Sequence, residues 1–478
     1  METARLEKPT LKNRTETVSG SGAGKSSTVN FIINLSQGNT HNINLSVPVT
    51  ALIFSNLSFS AQAVSLTLIL KQDGTGNRRV LWPNAVQWPG NITPTLSTAG
   101  WSIDVISLFS IDNGASWMGS LSMTGGKANR KLIAFGRNDQ SQLGDGTAID
   151  KSSPVQIGAL TNWASVSGGS VHSLATKTDG TLWAFGNNSN GQLGSADTFN
   201  ISPAQIGALT NWASVASGAH HSLGLKTDGT IWSVGKNNNG QLGDGTTVSK
   251  SSPVQIGALT NWASVASGWN HSFAIKTDST VWSWGSNSYG QLGDGTAINK
   301  SSPVQIGALT GWASVAGGSD HSLAIMTDGT LWTWGSDNFG QLGNGGYGSI
   351  SSPAQVGNLT NWTKVVAGYE HSLALKTDGT MWSWGYNAYG QLGDGTNITK
   401  SSPVRVGSLT TNWTNIAAGF SQSFALKADG TLWSFGSNNR GRLGDQTTID
   451  KSSPVQIGTL TNWASISGGI NHFVGLKG

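Results

Sequence analysis

No cysteine occurs in the 478 residues, which excludes disulfides and thiolate metal sites and leaves the redox compartment open. Charge is scarce: Asp, Glu, Lys and Arg make up 11% of the chain, against 21 Trp and 65 Gly. Disordered chains show the reverse balance, so this composition belongs to a folded protein that buries its aromatics. No stretch approaches 18 uninterrupted apolar residues, and no membrane-spanning helix or membrane insertion is expected. The first residues, METARLEKPTLKNR, carry charges without an apolar core and do not read as a secretory signal. The formal net charge of +4 is local, because residues 1–130 hold ten Lys/Arg against six Asp/Glu while residues 131–478 hold eighteen of each. A nucleic-acid reader needs a concentrated basic footprint, and none is present, so no nucleic-acid partner is expected.

What fills the chain instead is repetition. Leu-Gly recurs at Leu143-Gly144, Leu193-Gly194, Leu242-Gly243, Leu292-Gly293, Leu342-Gly343, Leu392-Gly393 and Leu443-Gly444, spaced by 49 to 51 residues. Periods of this size mark blades, arrays or solenoids. Each period runs Trp-x-x-Gly, Leu-Gly, Ser-Pro, Asn-Trp, Gly-x-x-His-Ser and Asp-Gly, and holds four strand-like runs. In the third these are residues 253–256, 262–266, 271–276 and 280–284, with Asp278-Ser279 at a turn that is elsewhere Asp-Gly. Proline opening the first run suits an edge strand, since it donates nothing to a ladder. Four antiparallel strands per unit without a helix describe a propeller blade. The first repeat begins at residues 131–136, which read as the last strand of a blade, and the final repeat stops at residues 472–478, lacking that strand. One strand from the start and three from the end are expected to complete a seventh blade and remove exposed edges.

Gly-x-x-His-Ser-Leu-Ala-Leu-Lys-Thr-Asp-Gly-Thr-Leu-Trp together with Gly-Gln-Leu-Gly resembles the regulator of chromosome condensation family over residues 131–478. The resemblance implies an all-β, seven-bladed propeller. The founding member is a guanine-nucleotide exchange factor for a small nuclear GTPase, an activity that needs an inserted wedge. The even spacing here leaves no room for such a wedge, and fold alone is a poor guide to function.

Residues 1–28, rich in Ser, Gly and Thr, read as a flexible arm. Within them Gly20-Ser21-Gly22-Ala23-Gly24-Lys25-Ser26 imitates a phosphate-binding loop, but Gly20 and Gly24 enclose three residues where four are required, and no buried strand precedes it. Residues 29–126 alternate in short β-rich runs, with a hairpin signal at Asp73-Gly74, and are expected to form a small β-sandwich-like domain. The segment LILKQDGTGNRRVLWPNAVQWPG, residues 68–90, and IDNGASWMGS, residues 111–120, resemble a β module of tailed-bacteriophage virion structural and tail-fibre proteins, particularly those of cyanophages. The matching pieces are Gln72-Asp73-Gly74-Thr75-Gly76, Trp82-Pro83, Trp88-Pro89 and the Gly-x-x-Trp-x-Gly of residues 114–119.

His172, His221, His271, His321, His371 and His472 share one position, which Gln422 takes in another repeat. Spread around a ring, they are too far apart to share an ion, so no metal is expected and each reads as a structural His bonding the adjacent loop backbone. The tryptophans of Trp-x-x-Gly, Trp183, Trp232, Trp282, Trp332, Trp382 and Trp433, read as core, and the Leu-Gly glycines as positions of positive φ or close packing. Lys151, Lys250, Lys300, Lys400 and Lys451 read as solvated and balanced by a neighbouring Asp. Glu370 is the one Glu after residue 130, so nothing points to a catalytic carboxyl pair, an enzyme or a cofactor. Where near-identical repeats differ, aromatics enter loops. Trp269, Asn270, Tyr369, Glu370 and Phe420 precede the His position, and Tyr289, Phe339 and Tyr389 precede Gly-Gln-Leu-Gly. These are the candidate binding residues, weighed against plain packing variation between blades.

The expectation is a bacteriophage virion component, made in the host cytoplasm and then exposed on the particle. Residues 1–130 would contact other virion proteins, and the propeller would meet a host-surface glycan or protein as part of a tail fibre or receptor-binding protein. A capsid decoration or tail accessory without a receptor, and an intracellular interaction module of exchange-factor type, are the alternatives. A homo-oligomer, such as a trimer, is expected by analogy with fibres.

Overall fold

The computed structural model describes residues 130–407 and 411–478 throughout, and before residue 130 the backbone of nine strands. The chain divides into two units, residues 1–128 and 129–478.

In the first unit β1 (Asn13–Val18), β3 (Thr40–Leu45), β5 (Val64–Gln72), β7 (Val86–Gln87), β8 (Ile103–Ser110) and β9 (Trp117–Met123) form one sheet in the order β1-β3-β5-β8-β9-β7. A second sheet holds β2 (Thr28–Asn34), β4 (Val49–Ser55) and β6 (Arg79–Leu81). Pairs β1/β3, β3/β5, β2/β4 and β4/β6 are parallel. Two expectations change. The stretch read as an arm contains β1, whose Thr15, Thr17 and Val18 favour strands and whose backbone finds partners on β3. The strands on either side of Asp73-Gly74 lie in different sheets, so that dipeptide does not join a hairpin; the turn itself, like residues 20–26 and both Trp-Pro steps, lies outside the described residues.

The second unit is a seven-bladed propeller of four-stranded antiparallel sheets. Blade 1 runs from β12 (Trp163–Gly168) to β15 (Phe199–Gln205), and each following blade takes the next four strands, so that blade 6 ends at β35 (Lys451–Gln456). Blade 3 shows the pattern: Trp262–Ser267 innermost, then His271–Lys276, Val281–Gly285 and Lys300–Gln305 outermost. The second strand is buried on both faces, as suits its near-continuous apolar run, while the outermost exposes Ser and carries proline, which blunts the edge.

Closure differs from the expected one-plus-three split. Blade 7 takes β36 (Trp463–Gly468) and β37 (His472–Lys477) as its inner strands and β10 (Lys131–Gly136) and β11 (Lys151–Gln156) as its outer ones. Leu132 pairs with Leu476 and Ala134 with Val474. The Lys-Ser-Ser-Pro run, taken as opening a blade, instead closes the preceding one: Ser434 pairs with Val455, not with a strand that follows. Seven blades and a two-terminus seal are present; the phase is displaced by one strand.

Apolar clusters sit between blades rather than inside them. One joins Phe273, Ile275 and Val281 of blade 3 to Trp312, Ala324 and Trp334 of blade 4, and another joins Phe135 and Phe473 of blade 7 to Phe424 and Leu432 of blade 6. Among the described residues the buried tryptophans are those of Asn-Trp and its counterpart Gly311-Trp312, with Trp284, Trp334 and Trp384. The Trp-x-x-Gly set lies further out and is only partly buried, because each indole leans edge-on against the innermost-strand tryptophan of its blade and five of the six are covered by lysine, Met326 taking that place in blade 4; Lys276 Nζ stands 3.7 Å above Trp282 and 5.0 Å from Trp262. Gly293 shows what the Leu-Gly loop requires, with φ at +76° and a position where a Cβ would lie 2.7 Å from the Trp334 indole nitrogen.

The repeated histidines tie blade to blade. His172 Nε2 lies 3.1 Å from Ser222 Oγ, His221 2.9 Å from Ser272, His321 3.0 Å from Ser372, His371 2.9 Å from Ser423, and His472 2.9 Å from Ser173. His271 and Ser322 are looser at 3.5 Å. Each serine hydroxyl donates to a loop carbonyl, as Ser272 does to Gln241 O at 2.8 Å, so the imidazole must donate from Nε2. The expected bond to the adjacent loop backbone is thus replaced by one to the next blade's serine. Phe473 removes that serine in blade 7, and the residue that would have bonded it is Gln422, whose amide donates to Gly469 O and Ile470 O. The ring of His271 lies flat on Gly268, where a Cβ would come within 2.1 Å.

Burial pulls all six imidazoles from 6.5 down to about 3. Between those values the unfolded chain binds more protons, so stability is whole above 6.5 and is lost on acidification, by up to about 1.4 kcal/mol per pH unit for each histidine. Asp337, raised to about 6 by burial, acts in the opposite sense, as do Asp320 and Glu370, also raised by burial, three carboxyls against six imidazoles. We expect urea unfolding midpoints to fall continuously from about pH 6.5 to about pH 4.5; a flat profile over that range would count against the neutral girdle.

Candidate functional site

Antiparallel alternation places the loop after each innermost strand and the loop after each third strand at the same end of the propeller. All eight candidate binding residues belong to these two loop sets and therefore share one face.

At the axis the backbone builds a closed ring. Ser170 N donates to Ala219 O, Ala219 N to Trp269 O, Trp269 N to Gly318 O, Ser319 N to Tyr369 O, Tyr369 N to Phe420 O, Phe420 N to Ile470 O and Ile470 N to Gly169 O, at 2.9 to 3.3 Å. Because main-chain groups make these bonds, the side chains at this level are released from scaffold duty. Four blades use Ser, Ala or Ile there, and three carry rings. Those three meet: Tyr369 and Phe420 stack with centroids 4.1 Å apart and planes 12° from parallel, and Trp269 stands edge-on at 4.3 Å from Tyr369 and 5.7 Å from Phe420. All three are partly buried and close over one end of an axial channel of about 480 Å³.

Polar groups collect on the same side. Burial, followed by the neighbouring Glu370, Asp320 and Tyr289, raises the Tyr369 phenol above its ordinary value. Glu370 is itself raised by burial and by Asp320. Burial raises Asp320, whose carboxylate accepts from Gln291 Nε2 at 2.9 Å. Phe339 meets Tyr386 edge-on at 5.0 Å, and Tyr386 meets Tyr389 at 6.3 Å. Tyr289 and Tyr389 are the most open of the set, at 48% and 42% exposure. Asn270 is partly buried, and its carbonyl accepts from Ser286 N at 2.9 Å. The structure therefore gathers seven of the eight around an aromatic and acidic sector of blades 3 to 6, and Asn270 stands beside Trp269 in the same loop, its carbonyl accepting as the Glu370 carbonyl does from Tyr386 N.

Tyr386, Asp320 and Lys364 belong to this sector or to the channel beneath it and are not among the eight candidates. Asp320 shares the variable loop pair with Asn270 and Glu370, and Tyr386 and Lys364 interrupt columns held mostly by Ser or Asn, so the rule that found Trp269 reaches Lys364 once it is applied to strand positions as well as loops. The lysine rim is accounted for locally: Lys151, Lys250, Lys300, Lys400 and Lys451 lie 3.2 to 3.7 Å from the Asp of their own loop. Arg440 spans the seam instead, pairing with Asp139 and Asp150 of blade 7 at 3.2 and 3.4 Å. Among the described residues no three His, Asp or Glu side chains are arranged to hold a metal ion.

A sealed ring with a chemically varied face over a uniform frame defines a seven-bladed propeller. The RCC1-like domain model matches residues 118–413, and the regulator of chromosome condensation repeat matches residues 413–442 and 429–476. The chain belongs to the RCC1-like domain family. Human WBSCR16 is similar, at 22% identity over 73% of this chain and 98% of that one, with a TM-score of 0.67. Prp20p of Saccharomyces cerevisiae is similar at 21% identity over 73% and 92%, with the same TM-score. The yeast RCC1 bound to Kap60 gives 20% identity over 73% and 89%, again at 0.67. At this identity the likeness is one of fold. The tailed-phage likeness of the first unit has no counterpart among these matches.

Stacked rings couple energetically by about 1 kcal/mol beyond the area they bury. A double-mutant cycle on Tyr369→Ala and Phe420→Ala, read by urea unfolding, should return a coupling of about that size. A coupling indistinguishable from zero would mean that the pair is not held in contact.

Proposed function

We propose that this protein is a non-enzymatic recognition module that binds a macromolecule through the aromatic sector of blades 3 to 6, and that it does so as a virion component. The reading rests on one observation: Trp269, Tyr369 and Phe420, contributed by three separate repeats, form a contiguous aromatic cluster at a level where the ring itself needs no side chain. Aromatics concentrated on one sector, flanked by Asp320 and Glu370, have the composition of a contact centre with a polar margin. The frame under them is rigid, so little ordering entropy is lost on binding.

The virion setting is supported by the resemblance of residues 68–90 and 111–120 to tailed-phage structural modules, and by a formally neutral propeller suited to exposure. On this reading residues 1–130 hold the protein to other virion proteins, and copies of the propeller, in a homo-oligomer, meet a host-surface glycan or protein through weak contacts multiplied by avidity. Family membership favours a second reading, a protein-interaction propeller of exchange-factor type inside a cell. The even repeat spacing, without an inserted wedge, weighs against exchange itself.

The test combines location with competition. Mass spectrometry of purified particles should detect this chain, and added full-length protein should slow particle adsorption to host cells. Replacing Trp269, Tyr369 and Phe420 by Ala, the residue that blade 2 already carries as Ala219, should weaken the competition at least about tenfold while the unfolding midpoint stays close to that of the parent. Presence in particles with no competition would leave a decoration protein, and absence from particles would favour the interaction module.

A further inference from the structure

Below the aromatic cap the channel has a second irregularity. At one level of the innermost strands stand Ser165, Ser214, Ser264, Ser314 and Ser465, but blades 5 and 6 place Lys364 and Asn415 there. These are the two blades whose next loops supply Tyr369 and Phe420, so their inner strands depart from the repeat at both ends of the channel. The two polar residues meet: Lys364 Nζ donates to Asn415 Oδ1, which also accepts from the Ile416 amide at 2.9 Å. That leaves the Asn415 Nδ2 group directed at no acceptor among the described residues.

Lys364 lines the channel and is largely buried, which lowers its pKa below 10.5. An ammonium has three donors, and one is used by Asn415. Every lysine on the outer rim that replaces nothing in the repeat has an Asp within 3.7 Å, whereas Lys364 forms no ion pair with a carboxylate among the described residues. On the neighbouring blade the hydroxyl of Ser314 is buried without a hydrogen-bond partner. Between this cation and the aromatic cap the wall is small residues, valine, alanine, isoleucine and glycine together with Ser167, Ser217, Ser267 and Ser467. A tube of about 480 Å³ walled by small aliphatic residues and serines, with Lys364 at one end and rings at the other, has the dimensions of a small-molecule site.

We propose that the axial channel binds a small organic anion, its carboxylate or phosphate monoester held by Lys364 and the Asn415 amide and its ring lodged in the tube beneath Trp269, Tyr369 and Phe420. Burial out of water makes such a charge-assisted bond stronger than a surface one. The site is separate from the outward contact surface, since Lys364 and Asn415 lie at the far end of the channel from the cap, and its test is read without a macromolecular partner.

Isothermal titration of the full chain with benzoate, phenyl phosphate, inorganic phosphate and the neutral benzyl alcohol tests the assignment. At least one of the two aromatic anions should bind with a Kd below about 1 mM, and Lys364→Ser should weaken it by about tenfold or more while benzyl alcohol is unaffected. Serine is the residue of five other blades at this level, so the variant suits the frame; Asn415→Ser, equally native to it, should show a smaller loss in the same direction. Failure of both aromatic anions to bind, or equal binding to parent and Lys364→Ser, would overturn the proposal. Inorganic phosphate binding as tightly as phenyl phosphate would overturn the part assigned to the tube.

Discussion

A four-stranded sheet has two faces, and no blade here covers its own. The apolar clusters lie at the joints, so each sheet depends on the next for burial and for the hydrogen bond that its histidine makes to the neighbour's serine. Stability then spreads as a sum of nearest-neighbour terms, as in repeat proteins, with the difference that a ring has no end repeat to protect. This dependence explains why Gly268, His271 and Ser272 recur together: the glycine admits the imidazole, the imidazole needs the serine of another blade, and the serine returns its proton to a loop carbonyl. The one place where the triplet fails confirms the logic, since Phe473 and Gln422 changed in blades that face each other.

Much of this was legible in the chain. The seven Leu-Gly pairs gave the blade number, and the split between residues 131–136 and 472–478 gave closure. What periodicity does not carry is phase. A cyclic motif of four strands reads equally well from any starting strand, and only pairing shows that Lys-Ser-Ser-Pro ends a blade. Long-range partners were hidden for a related reason. Ser272 looks like a filler beside His271, and its contact with His221 crosses to another repeat. The candidate binding residues were visible as departures from the repeat, yet nothing in one dimension says that Trp269 and Phe420, separated by three periods, would touch.

The frame and its exceptions answer different questions. Backbone bonds close the axial ring and buried histidines couple the sheets, so substitutions tolerated there carry information about something other than folding. They are unevenly spread. Blades 1, 2, 4 and 7 keep small or aliphatic residues at the axial level, while blades 3, 5 and 6 carry the rings, with tyrosines and carboxylates beside them. A scaffold with near seven-fold repetition thereby acquires a single direction, and its shared family membership with RCC1-like proteins describes the frame, not that direction.

The seam has a mechanical consequence. The chain that leaves the first unit enters the ring as β10, a strand bonded on one side to β11 and on the other to β37. Tension applied through that connection is met by two ladders at once, and cannot begin by peeling an outer strand. Force entering by that route is therefore borne by an interior strand of the blade that makes the propeller a circle.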